Sequence, residues 1–163
     1  MARADHKTNI IPSILDRLLD DEPEVLQEPL PNRFQNLYQL EKAVTRDLEA
    51  LFNTRQEVLE ELPSEFTEVS HSLVAYGLPD FTSLSLLNIF DRNRIRSALE
   101  QAIATFEPRL DRVRVTLEPP REHEQTLRFR VEAVLRVEPA PEPVTFDALL
   151  RLHTQEYKVQ GRD

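Results

Sequence analysis

The sequence has no cysteine and only two glycines among its 163 residues. Without cysteine it has no disulfide, no thiol nucleophile and no thiolate ligand for a metal. Loops that cradle phosphate need several glycines for close backbone approach, so P-loop and dinucleotide-binding folds are excluded. The first residues have no apolar stretch behind their charges, and no later segment reaches the length of a membrane span. We therefore expect a cytoplasmic protein that does not insert into a membrane.

The chain also lacks the excess of basic residues that nucleic-acid-binding proteins carry. Aspartate and glutamate outnumber lysine and arginine by 29 to 20, which gives a formal net charge of −9. Phosphate backbones and anionic lipids bind a concentrated cationic surface, so we expect no nucleic-acid partner. A hydrophobic content of 40% over 163 residues is enough for one domain with a substantial core.

The first two thirds of the chain have the periodicity of helices. Apolar residues recur at helical spacing over residues 37–52 and again over residues 92–106. A brief helix is predicted over residues 69–76, ended by Gly77 in the left-handed conformation that helix C-termini favour.

An N-terminal arm, which we place at residues 1–35, precedes a domain over residues 36–163. The arm contains a short helix over residues 13–19, followed by an acidic, proline-rich stretch that predicts an extended segment. The apolar stripe of this helix consists of Ile14, Leu15, Leu18 and Leu19. A short amphipathic helix of this kind either docks into a groove of a partner, here through Leu15, Leu18 and Leu19, or covers the chain's own core.

Beyond residue 110 the periodicity changes to that of strands. Apolar and polar residues alternate over residues 113–117, 126–137 and 144–152, with prolines between the segments. The apolar face of the third segment consists of Val144, Phe146, Ala148, Leu150 and Leu152. Three consecutive amphipathic strands make an antiparallel meander whose apolar face needs a cover. We predict an α+β fold in which N-terminal helices pack on a small C-terminal antiparallel β-meander.

The patterns of catalytic and metal sites are missing as well. The four histidines lie far apart, with no second ligand at a metal-binding offset, and no serine lies in a Gly-x-Ser-x-Gly elbow. Glu107 and Asp111 are close enough in sequence to suggest a glycosidase pair, but among 29 acidic residues spacing alone selects nothing. We therefore expect no metal, no cofactor and no enzymatic activity.

Glu107-Pro108-Arg109 lies where the last helix meets the first strand. Pro108 fixes the backbone between two charged side chains, which can form a charge-assisted fork. The simplest interpretation is a helix end with a weak local ion pair. The alternative hypothesis is that Arg109 contacts a carboxylate or carbonyl elsewhere, either across this corner or on another protein.

Four motifs together resemble the baseplate wedge family of contractile injection systems, whose phage founder was named lysozyme-like. Residues 12–23 resemble the N-terminal signature of its type VI secretion branch, the TssE proteins. Residues 44–55 resemble the family's Arg-Asp-Leu-Glu helix and the Asn-Thr-Arg that follows it, with Phe52 where leucine is usual. Residues 72–80 resemble its Tyr-Gly-Leu-Pro-Asp turn, and residues 106–110 contain its Glu-Pro-Arg motif. Four motifs in this order are far more specific than any one.

The resemblance implies a non-catalytic part of a type VI secretion baseplate that contains TssF, TssG and TssK. Glu107, Pro108 and Arg109 would hold the core helical bundle that TssF and TssG supply. The sheet would resemble the interlocking domain of the sheath proteins TssB and TssC, and would template the first sheath ring by exchanging strands. The strand expected to pair, unless its neighbour does, contains Val144, Thr145, Phe146, Ala148, Leu150 and Leu152. The family's historical name supplies the alternative function, a peptidoglycan-cleaving lysozyme-like enzyme.

Overall fold

The computed structural model describes residues 10, 12–19, 24, 36–57, 67–119, 126–138, 140–151, 154 and 156–161. Within these ranges the α-helices are α1 (Ile14–Leu18), α2 (Leu37–Asn53) and α3 (Ile89–Phe106). The strands are β1 (Leu110–Leu117), β2 (Thr126–Leu135), β3 (Glu142–Arg151) and β4 (Glu156–Gly161). None of the described helices is long and apolar enough to cross a membrane.

The two long helices form where the apolar periodicity predicts them. In α2, Asn36 caps the N-terminus by accepting a hydrogen bond from the Gln39 amide at 2.8 Å, and the Gln39 side chain accepts one from the Asn36 amide in return. Helix α3 begins three residues before the predicted start because Asn88 caps it by accepting from the Phe90 amide at 2.9 Å. Their buried residues are Leu40, Ala43, Val44, Leu48, Leu51 and Phe52 in α2, and Ile95, Leu99, Ala102 and Ile103 in α3.

The sheet is antiparallel with strand order β1-β2-β3-β4. Its apolar face is buried beneath the helices, with α3 packed near β1 and α2 near β4. The α+β prediction is therefore confirmed. Within the described residues the meander nevertheless has four strands instead of the predicted three. The sequence does not reveal β4 because this short strand has only Tyr157 and Val159 as buried apolar positions, too few to form a recognisable pattern.

An aromatic cluster connects the new strand to the rest of the core. The ring of Phe52 lies 5.8 Å from that of Phe129 and 5.7 Å from that of Tyr157, measured between centroids. The Phe129 and Tyr157 rings are 6.3 Å apart, so α2, β2 and β4 meet at one point. Aromatic pairs at these separations contribute about 0.5–1.5 kcal/mol each beyond their burial.

Two further predictions need correction. The brief helix expected over residues 69–76 is a pair of 3-10 helices, Thr67–His71 and Leu73–Ala75. Strand β1 begins three residues earlier than the alternation predicts, because a bulge between Asp111 and Arg114 puts Arg112 at a φ of +52° and breaks the two-residue period.

The turn at Gly77 packs against the segment that follows α2, so two of the sequence motifs are in direct contact. The Leu78 amide donates to the Thr54 carbonyl oxygen and the Gln56 amide donates to the Leu78 carbonyl oxygen, both at 2.8 Å. Gly77 has a φ of +115°, positive as predicted. A side chain there would collide with the Thr54 backbone, so this contact requires glycine.

Candidate functional site

Glu107 and Arg109 flank the corner at which α3 ends and β1 begins. The Glu107 amide closes α3 by donating to the Ile103 carbonyl oxygen at 2.8 Å. The Arg109 guanidinium binds both carboxylate oxygens of Glu107, through Nε to Oε1 at 2.6 Å and through Nη2 to Oε2. Pro108, between them, is exposed. The fork suggested by the local sequence is therefore present, and it is more than a surface pair, because the Glu107 side chain is buried.

Arg109 also reaches a second carboxylate on α2. Its Nη2 atom donates to Asp47 Oδ2 at 2.5 Å, a contact between residues 62 positions apart. Arg109 thus bridges the corner within the chain, which is one form of the alternative hypothesis. Asp47 was not identified from the sequence as a site residue. The only available signal was its place inside the Arg-Asp-Leu-Glu motif of α2.

The network continues from Asp47 to the N-terminal helix. Arg46 Nε and Nη2 donate to Asp47 Oδ1 at 2.9 and 2.8 Å, and Nη2 also donates to Asp16 Oδ1 at 2.8 Å. Asp16 in turn accepts hydrogen bonds from Ser13, the N-cap of α1. We call the five alternating charges Glu107, Arg109, Asp47, Arg46 and Asp16 the corner cluster.

The electrostatics of the corner cluster favour the charged forms of Arg109 and Asp16. Burial by itself lowers the pKa of Arg109, but the hydrogen bonds and charges of Glu107 and Asp47 outweigh it and raise the pKa above its ordinary value. Burial by itself raises the pKa of Asp16, but hydrogen bonds from Ser13 and Arg46 outweigh it and lower the pKa. The cluster is therefore held together by charge-assisted bonds at neutral pH.

Tyr76 is an uncharged residue that lies close to two carboxylates of the corner cluster, Asp47 and Glu107. Burial is the main cause that raises the pKa of its hydroxyl, and the negative charges of Asp47 and Glu107 add to the effect. Its ring packs edge-on against Phe106, with centroids 5.2 Å apart. Tyr76 therefore connects the Gly77 turn to the last residue of α3.

Helix α1 faces the rest of the chain with its polar side. The Asp16 side chain is only 6% exposed, whereas the apolar residues of the stripe are about half exposed or more: Ile14 78%, Leu15 51%, Leu18 76% and Leu19 49%. The stripe therefore does not cover the chain's own core, which was one of its two predicted roles. Of the arm's acidic, proline-rich stretch, only Glu24 lies within the described residues.

Strand β3, the strand expected to pair with the sheath, lies inside the sheet. It pairs with β2 along its whole length and with β4 from Phe146 to Arg151, so in the described part of the chain only its first four residues, 142–145, have no partner on the β4 side. The side chains of Val144, Phe146, Ala148 and Leu150 are buried in the core, and Thr145 is half-buried. Leu152 lies outside the described residues. Beyond that short segment, strand addition would have to use an outer strand, either β1 or the neighbour of β3, β4.

Glu107 and Asp111, the two acidic residues considered for catalysis, lie in different environments. Both oxygens of Glu107 are bound by Arg109, whereas the Asp111 side chain is 51% exposed and lies 3.7 Å from Arg136. Among the described residues, no group of three or more histidine, aspartate or glutamate side chains is placed to hold a metal ion.

Comparison with known proteins gives one family match. The family model described as baseplate wedge protein gp25 matches residues 38–140, a range that includes α2, α3, β1, β2 and four of the five corner-cluster residues. Among solved structures, a chain of "The baseplate complex from the type VI secretion system" is similar with a TM-score of 0.46 and 19% sequence identity. That similarity covers 77% of this chain and 93% of the other. No curated protein matches.

Proposed function

The chain belongs to the baseplate wedge protein gp25 family, and on that premise we propose that it is a non-catalytic structural component of a type VI secretion baseplate, in the TssE branch. It joins the core helical bundle of the wedge to the first ring of the contractile sheath, and templates the polymerisation of that sheath. Its baseplate partners are TssF, TssG and TssK, and its sheath partners are TssB and TssC. It works in the cytoplasm, where the baseplate meets the inner membrane.

The corner cluster is the observation that supports attachment to the core bundle. Arg109 uses Nε and Nη2 for Glu107 and Asp47, while its Nη1 group donates to none of the described residues. The Arg109 side chain is 26% exposed. A guanidinium that is fixed on one side and open on the other is preorganised to bind a carboxylate or carbonyl oxygen of a partner.

The exposed stripe of α1 supports a second contact with the same partner. Leu15, Leu18 and Leu19 follow the i, i+3, i+4 spacing with which a helix fills an apolar groove. The stripe is held near Arg109 through Asp16, Arg46 and Asp47. A groove in the TssF and TssG bundle would cover the stripe while the bundle binds Arg109.

A structural role also fits the chemistry of the corner. An acid catalyst needs a carboxyl group that can reach the substrate. The Glu107 carboxylate is buried, and both of its oxygens accept hydrogen bonds from Arg109. The arrangement is that of a joint between a helix and a sheet.

The test is co-purification of the chain with TssF and TssG. Arg109→Ala should abolish co-purification while the far-UV circular dichroism spectrum stays that of the wild type. Arg130→Ala is the matched control, because Arg130 forms an ion pair with Asp147 on the sheet at 2.9 Å, and it should co-purify normally.

Arg109→Lys serves as a second variant, since it keeps a positive charge between Glu107 and Asp47 but loses the planar fork. It should stay folded and bind TssF and TssG more weakly. Normal co-purification of a folded Arg109→Ala protein would refute the partner contact. An unfolded spectrum for both variants would show that the motif is mainly structural.

A further inference from the structure

The outer edge of β4 is occupied by side chains from α2. The Tyr157 amide donates to Asn53 Oδ1 at 2.9 Å, and Asn53 Nδ2 donates to the Tyr157 carbonyl oxygen at 3.0 Å. Two residues further along, the Val159 amide donates to Glu49 Oε2 at 3.1 Å. The Asn53 side chain thus supplies the donor and acceptor that a residue of an added strand would supply.

The opposite edge of the sheet, at β1, is also occupied by helix side chains, here from α3, but its strand is irregular. The Val115 amide donates to Glu100 Oε1 at 2.9 Å, and Arg92 donates to the Leu117 carbonyl oxygen at 3.2 Å. This edge also contains the bulge, with Arg112 at positive φ and the register shifted. Bulges are a common protection of edge strands against pairing with another chain. Of the two outer strands, β4 has the regular edge, with six consecutive residues in register with β3.

A groove on α2 runs alongside the β4 edge. It is shallow and open, and is lined by Lys42, Thr45, Arg46, Glu49, Ala50 and Asn53, which share one face of the helix. Gly161, in the last residue pair of β4, lies close to Thr45, since a Cβ atom there would be 3.4 Å from the Thr45 hydroxyl oxygen. This face of α2 therefore runs beside β4 from Tyr157 to Gly161.

The charge of this groove differs from that of the chain as a whole. Its cationic side chains are Lys42 and Arg46, and its single carboxylate, Glu49, accepts from the Val159 amide. Arg46 is already bound by Asp16 and Asp47, so Lys42 supplies the positive charge that an added segment can meet, although the chain has a net charge of −9. An extended segment that carries acidic side chains would meet opposite charge in the groove and hydrogen-bonding groups on the strand.

We propose that β4 is the strand-accepting edge of the sheet, and that Asn53 and Glu49 form a latch that keeps this edge closed until an acidic, extended strand of a sheath subunit replaces them. The inference rests on the proposed function, which supplies the sheath as partner. The incoming backbone takes over the bonds of Tyr157 and Val159, and the released side chains bind water. The latch protects the edge against unwanted strand pairing without preventing the intended one.

The latch is tested on the isolated chain by amide hydrogen exchange. Asn53→Ala should speed exchange of the Tyr157 amide about two- to tenfold, the factor that one hydrogen bond contributes. Asn53→Asp keeps the acceptor for this amide and should cause a smaller rise. Thr54→Ala is the matched control and should change nothing at Tyr157, because the Thr54 hydroxyl binds back to the Ala50 carbonyl oxygen. An unchanged Tyr157 amide in Asn53→Ala would overturn the latch.

The choice of edge is tested with purified sheath subunits. Because the chain has no cysteine, Lys158→Cys on β4 and Arg114→Cys on β1 each introduce a single crosslinking position. Sheath subunits should crosslink to Lys158→Cys and not to Arg114→Cys, and Asn53→Ala should shorten the lag before sheath polymerisation.

Crosslinking through Arg114→Cys alone would overturn the assignment to β4, and an unchanged lag in Asn53→Ala would overturn the role of the latch. If the wild-type chain does not nucleate sheath at all, the proposed templating function fails. The latch is still decided in that case, by the Tyr157 exchange rate.

Discussion

Replacing Gly77 with alanine should be among the most damaging single substitutions in the chain. The new methyl group would press on the Thr54 carbonyl oxygen and lie 2.9 Å from the Thr54 carbonyl carbon and 3.0 Å from the Gln56 nitrogen. All three are backbone atoms, so no side chain can rotate away. The φ of +115° adds strain whatever the available space, since residues with a Cβ atom rarely adopt it.

The magnitude follows from two contributions. Holding a residue other than glycine in this region of φ costs about 1–3 kcal/mol. Relieving the collision displaces one or both backbone hydrogen bonds between Leu78 and the Thr54–Gln56 segment, which contribute about 1 kcal/mol each. The free energy of unfolding should therefore fall by about 2–5 kcal/mol.

Urea denaturation followed by circular dichroism measures this loss. With a slope of about 2 kcal/mol per molar urea, the midpoint should fall by about 1–2.5 M. The other glycine provides the control, because a Cβ atom at Gly161 meets only an ordinary contact, so Gly161→Ala should change the unfolding free energy by about 0.5 kcal/mol or less. A Gly77→Ala midpoint equal to that of Gly161→Ala would refute the steric reasoning.

Two further predictions concern the arm and the core. The lowered pKa of Asp16 means that its contacts stabilise the folded chain above the unfolded carboxyl pKa of about 3.9 and lose this contribution as the pH falls through the folded pKa. The NMR signal of the Leu19 amide, which closes α1, should therefore shift on acidification in the wild type but not in Asp16→Asn, and identical titrations would count against the tether. Phe52→Leu should lower the unfolding free energy, measured in urea, by about 1–3 kcal/mol, because the Phe129 and Tyr157 rings each lose an aromatic partner. A loss below about 0.5 kcal/mol would show that leucine fills the site equally well.

What the sequence predicted well depends on local periodicity. Helix α2 has a complete apolar stripe and ends within one residue of its predicted end, and β2 alternates between polar and apolar residues up to Ala133. The fork between Glu107 and Arg109 was accessible for the same reason, since the two residues are separated only by Pro108. In each case the necessary information lies within a few turns of chain.

What the sequence could not predict depends on contacts between distant residues. Asp47 is 62 positions from Arg109, and Asp16 is 30 positions from Arg46, so no spacing rule connects them. Strand β3 is interior because β4 pairs with it on one side, and the two apolar residues of β4 are too few to reveal a strand in the sequence. Asn53, whose side chain binds the β4 edge at Tyr157, is 104 positions from that residue in the sequence.

The double use of Asp16 has a mechanical consequence. One of its oxygens binds the N-cap of α1 and the other binds Arg46, and a helix of five residues has no stability of its own in water. Unwinding and detachment of α1 are therefore one event. A force on the apolar stripe would pass through side chains, from Asp16 by way of Arg46 and Asp47 to Arg109. Arg109 is the residue that immediately precedes β1. This path from the arm to the sheet bypasses the intervening backbone.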